Sequence, residues 1–184
     1  GEMELAKEIS YEVPELPGQD ETHYANQHTL VVGAGYSAAT TVVRLACLQQ
    51  QYPETRITWV TRAPGSDGPL RSIPGDSLPE RSKLVQTANQ LVTDNSLLEH
   101  LGGMCIESIT REEQSGAFQV QLVPVNSGDP QTRAVDRIIA NVGYRPNHHL
   151  YEELHVHQCY ATSGPMKLAV TLMEHDTGDC LEQA

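Results

Sequence analysis

The chain has 184 residues, which suits one full-sized domain and is too short for two comfortable ones. It carries 12 Lys and Arg residues against 24 Asp and Glu residues, and this formal net charge of −12 argues against nucleic acid or an anionic membrane face as a partner. An aromatic content of 5% leaves few rings for stacking on bases. No apolar run approaches the ~18 residues of a membrane-spanning helix.

The cysteines are widely separated, at positions 47, 105, 159 and 180. The absence of a Cys-x-x-Cys pair excludes a redox dithiol and a zinc knuckle from this sequence. Scattered single thiols suit a reducing compartment, so we expect a cytoplasmic location.

Residues 1–27 combine prolines, a glycine and polar residues, which predicts a connecting segment that is extended and largely solvated. A short β-branched run over 28–32 then predicts a buried parallel strand. The spacing of apolar residues predicts a helix over 37–51 and a second strand over 55–61. Strand, helix and strand together form a βαβ unit.

A Gly-, Pro- and Ser-rich loop leads to a second helical pattern, which begins near Pro79, breaks at Asp94-Asn95 and resumes as far as Gly102. Three strand-like runs and a short helical run follow, over 104–110, 118–123, 135–142 and 168–173. We therefore expect an α/β, Rossmann-like three-layer domain, with a parallel sheet and an antiparallel β meander at about 104–125.

The most concentrated motif is Gly33-Ala34-Gly35-Tyr36-Ser37-Ala38, between the first strand and the first helix. In such a loop the first glycine permits a tight turn, the second lets a pyrophosphate approach the backbone, and the small third residue keeps helix and strand close. The helix N-terminus adds free N–H groups and the positive end of its dipole. The motif predicts a dinucleotide site made of Gly33, Ala34, Gly35, Tyr36, Ser37 and Ala38.

The end of the second strand selects the dinucleotide. An Asp or Glu there would bind a ribose hydroxyl of NAD or FAD, but the chain reads Thr61-Arg62. A guanidinium beside a hydroxyl fits a 2′-phosphate, so the sequence favours NADPH over NADH and FAD; the alternative is a solvated arginine. The missing acidic residue also argues against a methyltransferase that binds S-adenosylmethionine, which favours an acid at the same position. Arg71 and Arg81 are further candidates for the cofactor phosphates.

The glycine loop, Thr61-Arg62 and the stretch from Asp136 to Pro146, which contains Gly143, together resemble the NAD(P)H-binding domain of flavoproteins with two dinucleotide-binding domains. These are the flavin-containing monooxygenases and the pyridine nucleotide-disulfide oxidoreductases. The likeness covers about residues 28–147. Where the family has Ala-Thr-Gly, this sequence has Asn141-Val142-Gly143, so that turn is retained only through Gly143 and Tyr144.

The resemblance implies a division into a connecting segment (1–27), an NAD(P)H-binding domain (28–147) and a tail (148–184) that leads toward a flavin domain absent from this chain. It implies an NADPH-binding part of a flavin-dependent oxidoreductase, of the monooxygenase-like branch because Cys-x-x-Cys is lacking. FAD would then belong to the full-length protein, and the flavin domain of the same protein would be the partner. No residue here is expected to act as acid, base or nucleophile, so the isolated chain should bind NADPH without turnover.

Two rival interpretations stay open: a non-catalytic dinucleotide-sensing or protein-interaction domain, and FAD binding by the same glycine loop. A weaker pattern, His155-Val156-His157-Gln158-Cys159, would place three possible metal ligands on one face of a strand. It lacks an evident fourth ligand, and we predict no metal site.

Overall fold

The computed structural model describes residues 5–65, 68–94, 96–144, 147–160 and 163–174. The chain divides into two compact units, the first ending at Gly143 and the second starting at Tyr144. The elements of the first unit are α1 (Glu21–Tyr24), β1 (His28–Val32), α2 (Tyr36–Leu48), β2 (Arg56–Thr61), α3 (Pro79–Asp94), β3 (Leu98–Gly102), β4 (Met104–Arg111), β5 (Phe118–Pro124), β6 (Gln131–Val135) and β7 (Arg137–Ala140).

The centre of the first unit is a four-stranded parallel sheet in the order β3-β2-β1-β7. The other three strands, β4, β5 and β6, form an antiparallel meander. The inner strands of the parallel sheet are apolar on both faces, because each face is covered by another layer. In β1, Leu30 and Val31 point to opposite faces and are both fully buried.

Three layers result from this alternation. Val31 and Trp59 pack with α2 and α3 in one core, whereas Leu30, Val60 and Ile138 pack with the meander in a second core. The predicted α/β three-layer arrangement, with a parallel sheet and an antiparallel meander, is confirmed.

The predicted continuation of the second helix to Gly102 is wrong. Residues 98–102 form β3, which pairs with β2 in parallel, from Ile57 opposite Leu98 to Thr61 opposite Gly102. Residues three apart lie on opposite faces of a strand. Accordingly, Leu98 belongs to the helix-side core and Leu101 packs against the meander-side core.

The single strand predicted over 135–142 is two strands in two different sheets. Val135 ends β6 of the meander, and β7 of the parallel sheet begins at Arg137. Asp136 between them exchanges two hydrogen bonds with His28: its N–H donates to the His28 carbonyl, and its Oδ2 accepts from the His28 N–H, both at 2.8 Å. The meander therefore extends to residue 135 rather than 125.

The N-terminal segment is more buried than its polar composition predicts. Ile9, Leu16 and Tyr24 are buried, and Ser10 lies beside the edge strand β7. The Ser10 N–H donates to the Ile138 carbonyl at 3.0 Å, and the Ser10 carbonyl accepts from Ala140 at 2.8 Å. An edge strand has unpaired N–H and C=O groups, and this segment satisfies some of them. The prediction of a largely solvated segment is wrong for these residues.

The second unit contains two short 3-10 helices, His148–Leu150 and Glu152–Leu154, and the helix α4 (Met166–Glu174). The short helix predicted over 168–173 is confirmed within α4. Arg145 and Pro146 of the second motif, and the last ten residues of the predicted tail, lie outside the described residues. Across the part of the chain that the structure describes, no helix has both the length and the apolar character needed to span a membrane.

Candidate functional site

The glycine loop follows β1 at the carboxyl edge of the parallel sheet, where β1 lies between β2 and β7. At Gly33 the backbone has a φ of +136°, and a Cβ there would lie 2.2 Å from the Asn141 carbonyl oxygen, just beyond β7. The same Cβ would lie 3.5 Å from the Cβ of Ala38, which is fully buried at the start of α2. Gly33 and Ala38 therefore allow strand, loop and helix to pack closely.

Gly35 has a different environment. It precedes α2 in an extended conformation, with a φ of −95°, and a Cβ on it would meet nothing within 4 Å. The helix has no side-chain cap at this end. Its first N–H groups have no partner within the helix, and they carry the positive end of the helix dipole. Gly35 thus borders open space at the N-terminus of α2, with Ala34 and Tyr36 exposed beside it.

Two residues outside the motif hold the loop in place. Trp59 in β2 is fully buried, and its Nε1–H donates to the Gly33 carbonyl at 2.8 Å. The buried Asn141 accepts at Oδ1 from the Thr41 hydroxyl of α2 at 2.8 Å and donates to the Tyr11 carbonyl at 3.4 Å. Sequence reasoning missed both contacts; the only available signal was a polar asparagine directly after a buried strand.

Thr61 and Arg62, at the end of β2, lie in different environments, the first in the interior and the second on the surface. Thr61 is 1% exposed, whereas Arg62 is exposed. The Thr61 hydroxyl donates to the Ala63 carbonyl at 2.9 Å and lies 3.0 Å from Nε2 of His100 in β3. Since this hydroxyl has one proton, it accepts a hydrogen bond from His100. The buried Thr61 side chain therefore shapes the turn that exposes Arg62.

The fold places the glycine loop and Arg62 at the same edge of the sheet, because they follow neighbouring parallel strands. Gly143, with a φ of +96°, comes after β7 at that edge too, and a Cβ there would meet nothing within 4 Å. Val142 beside it is 63% exposed. The crevice outside the carboxyl ends of such strands, where the strand order reverses, is where open α/β sheets bind ligands.

The other candidate residues have different surroundings. Arg81 donates to both carboxylate oxygens of Asp76, from Nε at 2.8 Å and from Nη2 at 2.5 Å. These hydrogen bonds, and one from the Leu78 N–H, lower the pKa of Asp76. Arg81 is thus engaged by a carboxylate, which competes with a phosphate role, and Arg71 is exposed.

The residues of the weak metal pattern do not lie on a strand. His155 follows a 3-10 helix with a φ of +49°, and Gln158 forms an isolated bridge with Pro165. Within the described ranges, no group of three His, Cys, Asp or Glu side chains has a geometry that could hold a metal ion.

These features define the class of the first unit: an α/β domain of the Rossmann type, with its glycine loop at the point where strand order reverses and with an antiparallel meander on one face. Solved structures share this fold. The bacillithiol disulfide reductase Bdr (YpdA) from Bacillus cereus matches with a TM-score of 0.62 at 17% identity, covering 86% of this chain and 40% of that chain. Lactococcus lactis thioredoxin reductase matches with a TM-score of 0.60 at 18% identity, covering 85% and 43%.

A monooxygenase shares the fold as well. The FAD-bound cadaverine monooxygenase DfoA from Erwinia amylovora matches with a TM-score of 0.57 at 15% identity, covering 77% of this chain and 42% of that chain. The resemblance to flavoproteins that the motifs indicate is thereby confirmed in the fold. This chain spans less than half the length of these proteins. No protein-family model matches the sequence, and no curated protein matches it significantly.

Proposed function

We propose that the first unit binds NADPH, with the pyrophosphate on the loop from Gly33 to Ala38. The observation that carries the proposal is the contrast between two glycines. Gly33 is required by the fold, since its Cβ would overlap the Asn141 carbonyl, whereas Gly35 borders empty space at the N-terminus of α2. A glycine that packing does not require, beside N–H groups that have no partner within the helix, fits a phosphate that approaches the backbone.

Arg62 would bind the 2′-phosphate of NADPH. Its side chain is exposed, and among the described residues it has no carboxylate partner. An arginine that is not already paired can offer a phosphate two charge-assisted hydrogen bonds. Thr61, a predicted site residue, would contribute through the turn around Arg62, because its buried hydroxyl is bonded to Ala63 and His100.

The full protein, on this proposal, is a flavin-dependent oxidoreductase of the monooxygenase-like branch, and its flavin domain is the partner of this unit. NADPH, when bound, supplies a hydride to the flavin. The residues of this chain bind and orient, and none is assigned a proton transfer. The support is the fold shared with two disulfide reductases and an FAD-bound monooxygenase. The choice between these branches rests on the absence of Cys-x-x-Cys.

Calorimetric titration of the chain with NADPH and with NADH tests this proposal. Arg62→Ala should weaken NADPH binding about 10- to 100-fold, because charge-assisted hydrogen bonds are lost, and should leave NADH binding nearly unchanged. Arg56→Ala is the matched control: it removes the same charge from the exposed start of β2, at the opposite end of the strand. Its two affinities should equal those of the wild type.

Three results would contradict the proposal. Equal losses of NADPH and NADH affinity in Arg62→Ala would show that the guanidinium does not bind the 2′-phosphate. A purified chain with the yellow absorbance of a flavin, displaced by substitutions in the glycine loop, would assign that loop to FAD. Steady oxidation of NADPH by the chain alone would show that the flavin chemistry needs no further domain.

A further inference from the structure

The turn that carries Arg62 is held from two sides. Within the turn, the Thr61 hydroxyl donates to the Ala63 carbonyl at 2.9 Å, two residues further on. From β3, His100 Nε2 donates to the same hydroxyl at 3.0 Å, and just after β3 the N–H of Gly103 donates to the Ala63 carbonyl at 3.0 Å. Arg62 is the residue enclosed by this arrangement, and its own side chain is exposed.

His100 also contacts the residue that holds the glycine loop. Its ring packs edge-on against Trp59, with centroids 5.7 Å apart and an interplanar angle of 62°. The Trp59 Nε1–H in turn donates to the Gly33 carbonyl. The His100 imidazole therefore contacts both the turn that carries Arg62 and the Trp59 indole, which supports the glycine loop.

The direction of the hydrogen bonds fixes which ring nitrogen of His100 carries a proton. The Thr61 hydroxyl uses its single proton in the bond to the Ala63 carbonyl, so Nε2 of His100 is the donor in the other bond. The imidazole acts here as a fixed N–H group that orients a buried hydroxyl. Without this donor the Thr61 hydroxyl would keep its bond to the Ala63 carbonyl but lose its link to β3, and the turn around Arg62 would be held less firmly.

We propose that His100 is a positioning residue for dinucleotide selection: through Thr61 it holds Arg62 in the orientation that binds the 2′-phosphate. The inference rests on the proposed NADPH function and extends it to a residue that touches no part of the ligand. Preorganisation of a charged side chain benefits only the ligand that contacts it. The contribution of His100 should therefore appear in NADPH binding and be absent from NADH binding.

The test compares three substitutions at His100 and Thr61 in the full chain. His100→Leu removes the donor but keeps an apolar side chain beside Trp59, so it should weaken NADPH binding about three- to tenfold, with little change in NADH binding. His100→Gln places a side-chain N–H at a similar reach and should recover most of the loss. Thr61→Val, which preserves shape and removes the hydroxyl, should reproduce the selective loss if His100→Leu does not fold.

His28→Leu is the matched control. His28 also bonds a buried threonine of β2 through Nε2, at 2.9 Å from the Thr58 hydroxyl, but it lies at the other end of the sheet. This variant should keep the wild-type ratio of NADPH to NADH affinity even if its stability falls. A role of His100 in stability alone would give the same pattern as His28.

The outcomes separate this inference from the function on which it rests. If the wild type binds neither dinucleotide, or Arg62→Ala does not change the preference, the proposed function fails and the inference fails with it. If Arg62→Ala abolishes the preference but His100→Leu and Thr61→Val retain it, only the role of His100 is overturned. An equal loss of both dinucleotides in His100→Leu, not recovered by His100→Gln, would also overturn it.

Discussion

At the scale of single residues, the glycine loop contains two glycines with opposite requirements. Gly33 has a left-handed φ of +136° and no room for a Cβ beside the Asn141 carbonyl, whereas Gly35 has a φ of −95° and open space. The first is a packing requirement of the fold. Packing does not require a glycine at the second position, whereas a phosphate that approaches the backbone there would require it.

Substitution of each glycine by alanine should separate stability from binding. Gly33→Ala places a methyl group in a strained conformation against a backbone carbonyl, so we expect a loss of roughly 2–3 kcal/mol or more in the free energy of unfolding. Gly35→Ala should change stability by less than about 1 kcal/mol, because its φ suits alanine. It should nevertheless weaken NADPH binding at least about tenfold, since the methyl group would occupy the position proposed for the pyrophosphate.

Urea unfolding and calorimetric titration measure the two effects. Gly75→Ala is a useful control for strain without contact, because Gly75 has a φ of +70° with nothing within 4 Å of its Cβ position. It should lose stability and keep NADPH affinity. Unchanged NADPH affinity in a well-folded Gly35→Ala variant would place the pyrophosphate elsewhere.

The loop and its role in the fold could be predicted from local sequence, because the motif and the strand and helix around it are contiguous. The residues that hold it could not. Trp59 reaches Gly33 from 26 positions away, Thr41 meets Asn141 across 100 positions, and His100 meets Thr61 across 39. Such contacts depend on which strands become neighbours, and one sequence contains no direct signal for that.

At the scale of elements, α3 is coupled to the long connection that leads to it from β2. Asn89 of α3 binds both polar groups of one backbone unit: its Oδ1 accepts from the Leu70 N–H at 3.1 Å, and its Nδ2 donates to the Leu70 carbonyl at 2.8 Å. Its amide also lies against Gly68, where a Cβ would come within 2.7 Å. The connection is thereby attached to the helix near its middle.

Asn89→Ala should detach this connection. The variant leaves the Leu70 amide and carbonyl without these partners, so we expect a loss of about 1–3 kcal/mol in stability. Trypsin should then cleave faster after the exposed Arg71, because the backbone around it opens more often. Gln86→Ala, at an exposed position of the same helix, should match the wild type in both measurements. Faster cleavage in Gln86→Ala but not in Asn89→Ala would contradict the attachment.

The elements that sequence patterns identified correctly are those with a clear periodicity over enough residues. The helix over 36–48 and the strands over 28–32 and 56–61 are examples. β3 resembles a helix in the sequence because Leu97, Leu98 and Leu101 have a spacing that a helix and a two-sided strand both satisfy. β6 is not evident in the sequence because most of its residues are polar, and only Asp136 separates it from β7.

At the scale of the whole molecule, three histidines have pKa values below the ordinary value of 6.5. Burial lowers the pKa values of His23, His28 and His100 from the ordinary value of 6.5. The nearby cation Arg137 lowers the pKa of His23 further, and Arg56 does the same for His28, while the carboxylates Asp20 and Asp136 act in the opposite direction on these two groups. The net direction is the same for all three.

The unfolded chain therefore binds more protons than the folded one as the pH falls below about 6.5. The stability that the neutral histidines contribute is fully present above that pH and decreases as the pH falls toward their folded pKa values. The carboxylates follow at lower pH: Arg133, which binds both oxygens of Glu99, lowers the pKa of Glu99, so that contribution is lost only in more acidic solution. The chain should thus lose stability in two separate ranges of pH.

Urea unfolding at a series of pH values tests the first range. Each proton bound only by the unfolded state changes stability by about 1.4 kcal/mol per pH unit, so the slope counts the histidines involved. His28→Gln should have a smaller slope below pH 6.5 than the wild type, because it removes one of the histidines with a lowered pKa. Protonation at low pH also reduces the net charge of −12, and the weaker repulsion between like charges favours the folded state and opposes this effect. Salt screens such diffuse repulsion more than it affects buried imidazoles. Stability that rises as the pH falls from 7 to 5 at physiological salt would show that charge repulsion outweighs the buried histidines.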